Sequence, residues 1–318
     1  TNAEIASLAV KNLFTNAPEE LKEIDLLACG TSSPDQLLPS HSVMVHGHLP
    51  ETKNIEVVSQ SGSCCSGMHA MKYAFMAVRT GEKKKAVCAG SERISAILKS
   101  SIFSEEARKL SEQEGNSYIA FEKDFLRWML SDGAGACLLE NKKNDHGLSL
   151  KIDWIELSSY ANQAETCMYM GADKLENGSL KGYVDMTSEE ITSRSALAIK
   201  QDTRLLSEKI LKLGFDKIKS LLEQKGIKIN EIDYFLPHMS SFFFKDKIAD
   251  ILKHNGIPVP EEKWFTNLAT KGNVGAASIY LMLEELYHEH NLKAGQKILL
   301  VVPESARFSY AFCLLTVC

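Results

Sequence analysis

The chain contains no stretch long and apolar enough to span a bilayer, and its opening residues, Thr1-Asn2-Ala3-Glu4, begin a helix-like run instead of a basic leader. It carries no excess of positive charge: 36 basic against 41 acidic residues leave a net charge of −5, which excludes a global nucleic-acid footprint and confines any polyanion site to a local patch. None of its eight cysteines forms C-x-x-C spacing, so a zinc ribbon, a dithiol redox motif and a disulfide framework are all excluded. Most of these cysteines lie in apolar stretches, which points to a reducing cytosol. What remains is the composition of a globular protein, 318 residues long, with room for two domains or one large α/β unit.

Apolar runs and helical periodicity alternate. Ile5 to Phe14 has helical spacing, and Glu23-Ile24-Asp25 leads into the buried-strand run Leu26-Leu27-Ala28-Cys29. Thr31-Ser32-Ser33-Pro34-Asp35 is turn chemistry, and a second helical piece carries His46 and His48, which lack partners at metal-ligand spacing. The strand Ile55-Glu56-Val57-Val58, the helix from Met68 to Val78 and the strand Ala86-Val87-Cys88-Ala89 complete a β/α alternation. Residues 93–130 are rich in Ser, Glu and Lys and read as a surface excursion. Lys142 to Gly147 reads as a hairpin turn joining Ala136–Leu139 to Leu148–Leu157.

Within Ser63-Cys64-Cys65-Ser66-Gly67-Met68, a strand passes through small residues into a helix, which puts Cys65 at a helix N-terminus. The positive end of a helix dipole favours a thiolate there, and glycine lets a carbonyl approach the backbone. The same cysteine also fits a buried small hydrophobe. The second half repeats the first: Glu23-Ile24-Asp25 returns as Glu231-Ile232-Asp233, and Ser32-Ser33 as Ser240-Ser241, both 208 residues on. That register sets Asn273 opposite Cys65 and Gly275 opposite Gly67, which reads as an internal duplication. Packed halves bring equivalent helix N-termini together, so Cys65 and Asn273 are expected at one site. His238 joins them from the loop after the strand Tyr234-Phe235-Leu236, where α/β folds place functional groups.

With these residues the chain resembles the thiolase superfamily, and within it the ketoacyl-acyl carrier protein synthase III branch. The resemblance rests on Cys65-Ser66-Gly67-Met68, Asp132-Gly133-Ala134-Gly135-Ala136, Pro237-His238 and Gly272-Asn273. It implies an α/β fold of duplicated βαβαβαββ halves in a five-layer αβαβα sandwich, a first half over 1–159 without its leading strand, and a second half over 160–318. It also implies a Cys65, His238 and Asn273 triad, with the Cys65 and Ala306 N–H groups as oxyanion hole. Acyl transfer to Cys65 and decarboxylative Claisen condensation with a malonyl thioester follow, in fatty-acid or specialised lipid or polyketide biosynthesis. Simple acyl transfer, ring closure on a β-ketoacyl substrate, and a non-catalytic partner subunit are the alternatives.

Three positions depart from the family pattern: Ser241 in the histidine motif, Leu38 where a large apolar residue reaches a partner's acyl pocket, and the Glu304 to Arg307 loop. Cys313 reads as core. Expected partners are acyl carrier protein, met by Lys245 and Lys247, acyl-coenzyme A and a second copy of the chain; no metal or redox cofactor is expected. Met168 to Met170 and Phe242-Phe243-Phe244 are candidates to line an acyl tunnel or to pack the core.

Overall fold

The repeated Glu-Ile-Asp segment makes the same contacts twice in a computed structural model that describes residues 1–99, 126 and 129–318. Glu23 pairs with Lys85 at 2.7 Å, and Glu231 with Lys297 at 2.6 Å. Ile24 and Ile232 are buried, while Asp25 and Asp233 accept the backbone N–H groups of Lys85 and Lys297 at 3.3 and 2.8 Å. Partly exposed ion pairs of this kind contribute at most about 1 kcal/mol each, so their value lies in register. Each motif ties the start of one parallel strand to the start of its neighbour.

Those strands belong to two four-stranded sheets. The first contains β1 (Leu26–Thr31), β2 (Glu56–Ser61), β3 (Lys85–Glu92) and β4 (Gly133–Glu140), in the order β2-β1-β3-β4. The second contains β5 (Leu150–Ser159), β10 (Tyr234–Pro237), β11 (Lys297–Glu304) and β12 (Ser309–Val317), in the order β10-β11-β12-β5. In the first sheet β2, β1 and β3 run parallel and β4 pairs antiparallel with β3; in the second β10 and β11 run parallel, and β12 and β5 follow by antiparallel pairing. The short strands β6 (Met168–Tyr169) and β9 (Lys200–Gln201) pair with each other, as do β7 (Ala172–Lys174) and β8 (Leu180–Gly182).

Alternation along the strands builds the layers. Leu26 and Ala28 face one side of the first sheet with α3 (Ser66–Arg79), whereas Leu27 and Cys29 face the other with α1 (Asn2–Asn12) and α2 (His41–Gly47). In the second sheet Ile298, Leu300 and Val302 join the same central layer as Leu26. Leu299 and Val301 face outward, towards α5 (Thr203–Lys225) and α6 (Lys245–His254). The central layer is completed by α8 (Ser278–Glu289), which follows the short α4 (Ser188–Ser193) and α7 (Leu268–Lys271) in the chain. The result is the expected five-layer αβαβα sandwich. Asp202 caps α5 by accepting the Leu205 N–H at 2.9 Å, and Gly226, at φ 66°, ends that helix in the left-handed conformation. Among the described residues no helix is long and apolar enough to cross a membrane.

Two expectations are corrected. Strands β4 and β5 do not form a hairpin: β4 pairs with β3, and β5 pairs with β12 in the other sheet. The turn residues Lys142 to Gly147 are therefore an inter-sheet connection, and turn chemistry alone cannot tell the two apart. As a consequence, the boundary between halves precedes β5, near residue 148, instead of following residue 159. Most of the expected excursion over 93–130 lies outside the described residues.

The two halves meet with little room for side chains. A Cβ built on Gly90 would lie 2.2 Å from the Ala276 carbonyl oxygen, and one on Gly67 would also lie 2.2 Å from it. Gly90→Ala is therefore expected to destabilise by about 3 kcal/mol or more, because only backbone surrounds the new methyl. Gly47→Ala, in α2 with no atom within 4 Å of its Cβ position, is expected to be neutral or stabilising by up to about 1 kcal/mol. Urea denaturation of both variants checks this; equal midpoints would contradict the close inter-half packing.

Candidate active site

Between β2 and α3 the chain makes a tight turn. The Ser66 N–H and hydroxyl both donate to the Ser63 carbonyl, at 2.9 and 2.7 Å, which closes the first turn of α3. Cys64 and Cys65 sit side by side in this turn and point to different places. Cys65 is 1% exposed, packs among the apolar side chains of the central layer and donates its thiol to the Val302 carbonyl at 3.3 Å. Cys64 packs against the same layer and also lines a pocket, together with His238 and Asn273. Histidine and asparagine thus share one pocket, and of the two neighbouring thiols it is Cys64 that reaches its wall.

The pocket encloses about 800 Å³, open solvent at its mouth included. Leu126, Met129, Leu130, Met168, Ile210 and Ile248 give it a mainly apolar wall, and Ser63, Gln201 and Ser305 supply polar atoms. Among the lining residues only Cys64 and His238 are titratable.

His238 stands at the end of β10, where its N–H extends the ladder by donating to the Val301 carbonyl at 2.8 Å. Burial holds its imidazole down to about 4, so it is neutral at pH 7. Asn273 precedes the helix start at Gly275, and its Oδ1 accepts the Gly275 N–H at 3.0 Å. That bond leaves the Nδ2 amide as the group Asn273 can offer a substrate. Burial first, then the Glu304 carboxylate, push the Cys64 thiol up to about 12. The thiol expected to be depressed by the helix N-terminus, Cys65, is likewise pushed up, by burial first and then by Glu304.

Glu304 explains part of that reversal. Its Oε2 accepts the Ser63 N–H at 3.1 Å and the Cys65 N–H at 2.9 Å. The Cys65 amide, expected in an oxyanion hole, is therefore already engaged, while the Cys64 N–H finds no partner among the described residues. Ala306 does not line the pocket; its carbonyl accepts the N–H groups of Cys167 and Met168, and Ser305 takes the pocket position.

The remaining expected residues lie further out. Ser241 accepts the Phe243 N–H at 3.2 Å, and Ser240 reaches the pocket in its place. Leu38 is 85% exposed. Lys245 pairs with Glu261, and Lys247 stacks 3.8 Å from the Phe243 ring centroid. Of the aromatic run only Phe244 lines the pocket, and of the methionine stretch only Met168. Cys313 is buried in β12, as read from the sequence.

Sequence reasoning did not single out Cys64 as a pocket-lining residue, nor the hydrogen-bonded pair Gln201 and Ser305, 2.9 Å apart at the pocket wall. The doubled cysteine was a visible signal, since either thiol precedes the helix.

Both halves match known proteins. The family model of the 3-oxoacyl-[acyl-carrier-protein] synthase III C-terminal region matches residues 222–315, and that of the β-ketoacyl synthase N-terminal domain matches residues 56–145. A β-ketoacyl-[acyl-carrier-protein] synthase III of Clostridium perfringens is 27% identical over 300 residues, covering 94% of this chain and 80% of its own length. The corresponding protein of Aliarcobacter butzleri is 26% identical over 299 residues, with 94% and 78% covered. Among solved structures, 3-oxoacyl-[acyl-carrier-protein] synthase III of Aquifex aeolicus superposes with a TM-score of 0.71 at 20% identity, covering 99% of this chain and 84% of that one. OleA of Xanthomonas campestris gives 0.76 at 19% identity, with 99% and 82% covered. With the motifs, the layered fold and the matches to both halves in agreement, the chain belongs to the 3-oxoacyl-[acyl-carrier-protein] synthase III family of the thiolase superfamily, and is a condensing enzyme of acyltransferase type.

Proposed function

We propose that the chain takes an acyl group from a coenzyme A thioester onto Cys64 and condenses it with a malonyl unit carried by acyl carrier protein. The observation that carries this reading is the single pocket shared by Cys64, His238 and Asn273. As Cys64 Sγ attacks the thioester carbonyl, its proton passes to neutral His238, the other titratable group on the wall, and from there to the departing coenzyme A thiolate. The unpartnered Cys64 N–H is positioned to hold the oxyanion, in the place assigned by sequence to the Cys65 amide.

In the second step the malonyl thioester loses carbon dioxide. The His238 N–H and Asn273 Nδ2 donate to the enolate oxygen that develops, and the carbanion attacks the acyl carbon on Cys64; the C–S bond breaks, the Cys64 thiolate leaves and takes up a proton from solvent, and the β-ketoacyl thioester departs on the carrier protein. Decarboxylation supplies the electron pair, so the two donors and the thiol suffice without a redox group or metal. The apolar wall formed by Met168, Ile210 and Ile248 suits an alkyl chain. Acyl carrier protein, an acidic partner, would meet Lys245 and Lys247 at the start of α6, one turn from Phe244 on the pocket wall. A second copy would add to the first sheet at β2, its edge strand. All eight cysteines are free thiols, which supports a reducing cytosol as the site of the reaction.

Three outcomes test the assignment. Intact-mass spectrometry after incubation with acyl-coenzyme A is expected to show an acyl adduct on the wild type and on Cys65→Ala, and none on Cys64→Ala; an adduct that survives Cys64→Ala overturns it. Asn273→Ala is expected to keep self-acylation while malonyl decarboxylation, followed by release of labelled carbon dioxide, falls by about 10²- to 10³-fold. Because His238 must be neutral to accept the thiol proton, self-acylation falls only as pH drops towards its folded-state value of about 4. An acid limb at the ordinary histidine value near 6.5 would contradict the burial-lowered value, and a profile flat from about pH 8 to 4 that is unchanged in His238→Ala would exclude the role.

A further inference from the structure

The central strands of the two halves end alike. β3 ends in Glu92 and β11 in Glu304, and both carboxylates are buried. Each crosses to the other half's catalytic loop. Glu92 accepts the Ala276 N–H at 3.2 Å, three residues beyond Asn273, and Glu304 accepts the Ser63 and Cys65 N–H groups on either side of Cys64.

The two differ in how they are satisfied. Glu92 also takes the Ser32 N–H and the hydroxyls of Thr31, Ser32 and Ser33. Glu304 has only its two amides, both on Oε2, and among the described residues its Oε1 accepts nothing and no cation pairs with it.

We propose that Glu304 is the positioning residue of the nucleophile turn: by pinning the amides before and after Cys64 it aims the Cys64 N–H and thiol into the pocket. The inference rests on Cys64 as the acyl acceptor. A free carboxylate would be an odd choice for holding a turn unless its charge also mattered. Here the carboxylate that holds the amides on either side of Cys64 also restrains the thiol from ionising before an acyl donor is bound. The groups that face Cys64 are Glu304 from β11, Glu92 from β3, His238 from β10 and the neighbouring Cys65. None is cationic at pH 7.

The test is the pH dependence of iodoacetamide alkylation in the full chain, with the adduct assigned to Cys64 by fragmentation between residues 64 and 65. Glu304→Gln keeps the shape and an acceptor oxygen but removes the charge, and it is expected to lower the alkylation midpoint and speed labelling at pH 7.5 about tenfold. Glu304→Leu removes the acceptor as well, and is expected to shift the midpoint equally while self-acylation drops about 10²-fold. A Glu304→Gln profile that superimposes on the wild type overturns the proposal. Should neither variant fold, the wild type decides: its Cys64 midpoint is expected above the free-cysteine value of about 8.5, and one at or below that value overturns the proposal. If Cys64→Ala is still acylated, the nucleophile assignment fails; the alkylation shift reads Glu304 independently of it.

Discussion

Backbone meets backbone where the two halves join, and the site depends on that contact. Gly67 at the start of α3 and Gly90 in β3 both lie against the Ala276 carbonyl, closer than any side chain could allow. Two helix beginnings are thereby pressed together across the centre of the molecule. Each carries N–H groups with no intrahelical partner, and burying these unpaired costs about 1–3 kcal/mol apiece. The acceptors come from the protein. Glu92 and Glu304, each at the end of a central strand, supply them across the interface. The convergence of Cys64 with His238 and Asn273 follows from this packing rather than from any local preference of their own loops.

The same contact settles the electrostatics of the thiol. A helix N-terminus stabilises a nearby negative charge by about 0.3–1 kcal/mol when exposed, and by up to about 2 in buried geometries. Here that capacity is already taken up, because the amides around Cys64 point at a carboxylate. Burial then opposes ionisation, and the Ser63 hydroxyl 3.7 Å from the thiol offsets it only in part. The consequence is a resting thiol instead of a standing thiolate, which makes a neutral His238 more useful than a charged one: only the neutral ring can take the proton during attack.

Much of this architecture was legible because duplication leaves long-range marks in a linear chain. The offset between Glu23-Ile24-Asp25 and Glu231-Ile232-Asp233 has a cause in matching ion pairs and strand-start hydrogen bonds. Asn273 was readable as a pocket residue from that register, and His238 from its place in the loop after a strand. The errors fall where local signals are degenerate. The Lys142 to Gly147 turn has hairpin chemistry whether or not the flanking strands pair, and β5 finds β12, more than 150 residues away in sequence. Cys64 and Cys65 satisfy the same composition rule, and composition alone does not say which of them reaches the pocket wall.

Pseudo-symmetry also shows which features were free to diverge. Both strand-end glutamates answer the same need, yet Glu92 is surrounded by hydroxyls from Thr31, Ser32 and Ser33 whereas the equivalent serines near Glu304, Ser240 and Ser241, turn to the pocket and to a helix cap. A carboxylate with many donors is a fixture of the fold. One with two amides on a single oxygen retains influence over its surroundings, because its charge is less fully compensated. The first half thus contributes a thiol held in a rigid turn. The second contributes His238, Asn273, most of the apolar wall and the Glu304 carboxylate that binds the turn. Chemistry at this site is therefore a property of the interface between two copies of one ancestral unit, and a substitution at either strand end acts on the catalytic loop of the opposite half before it acts on its own.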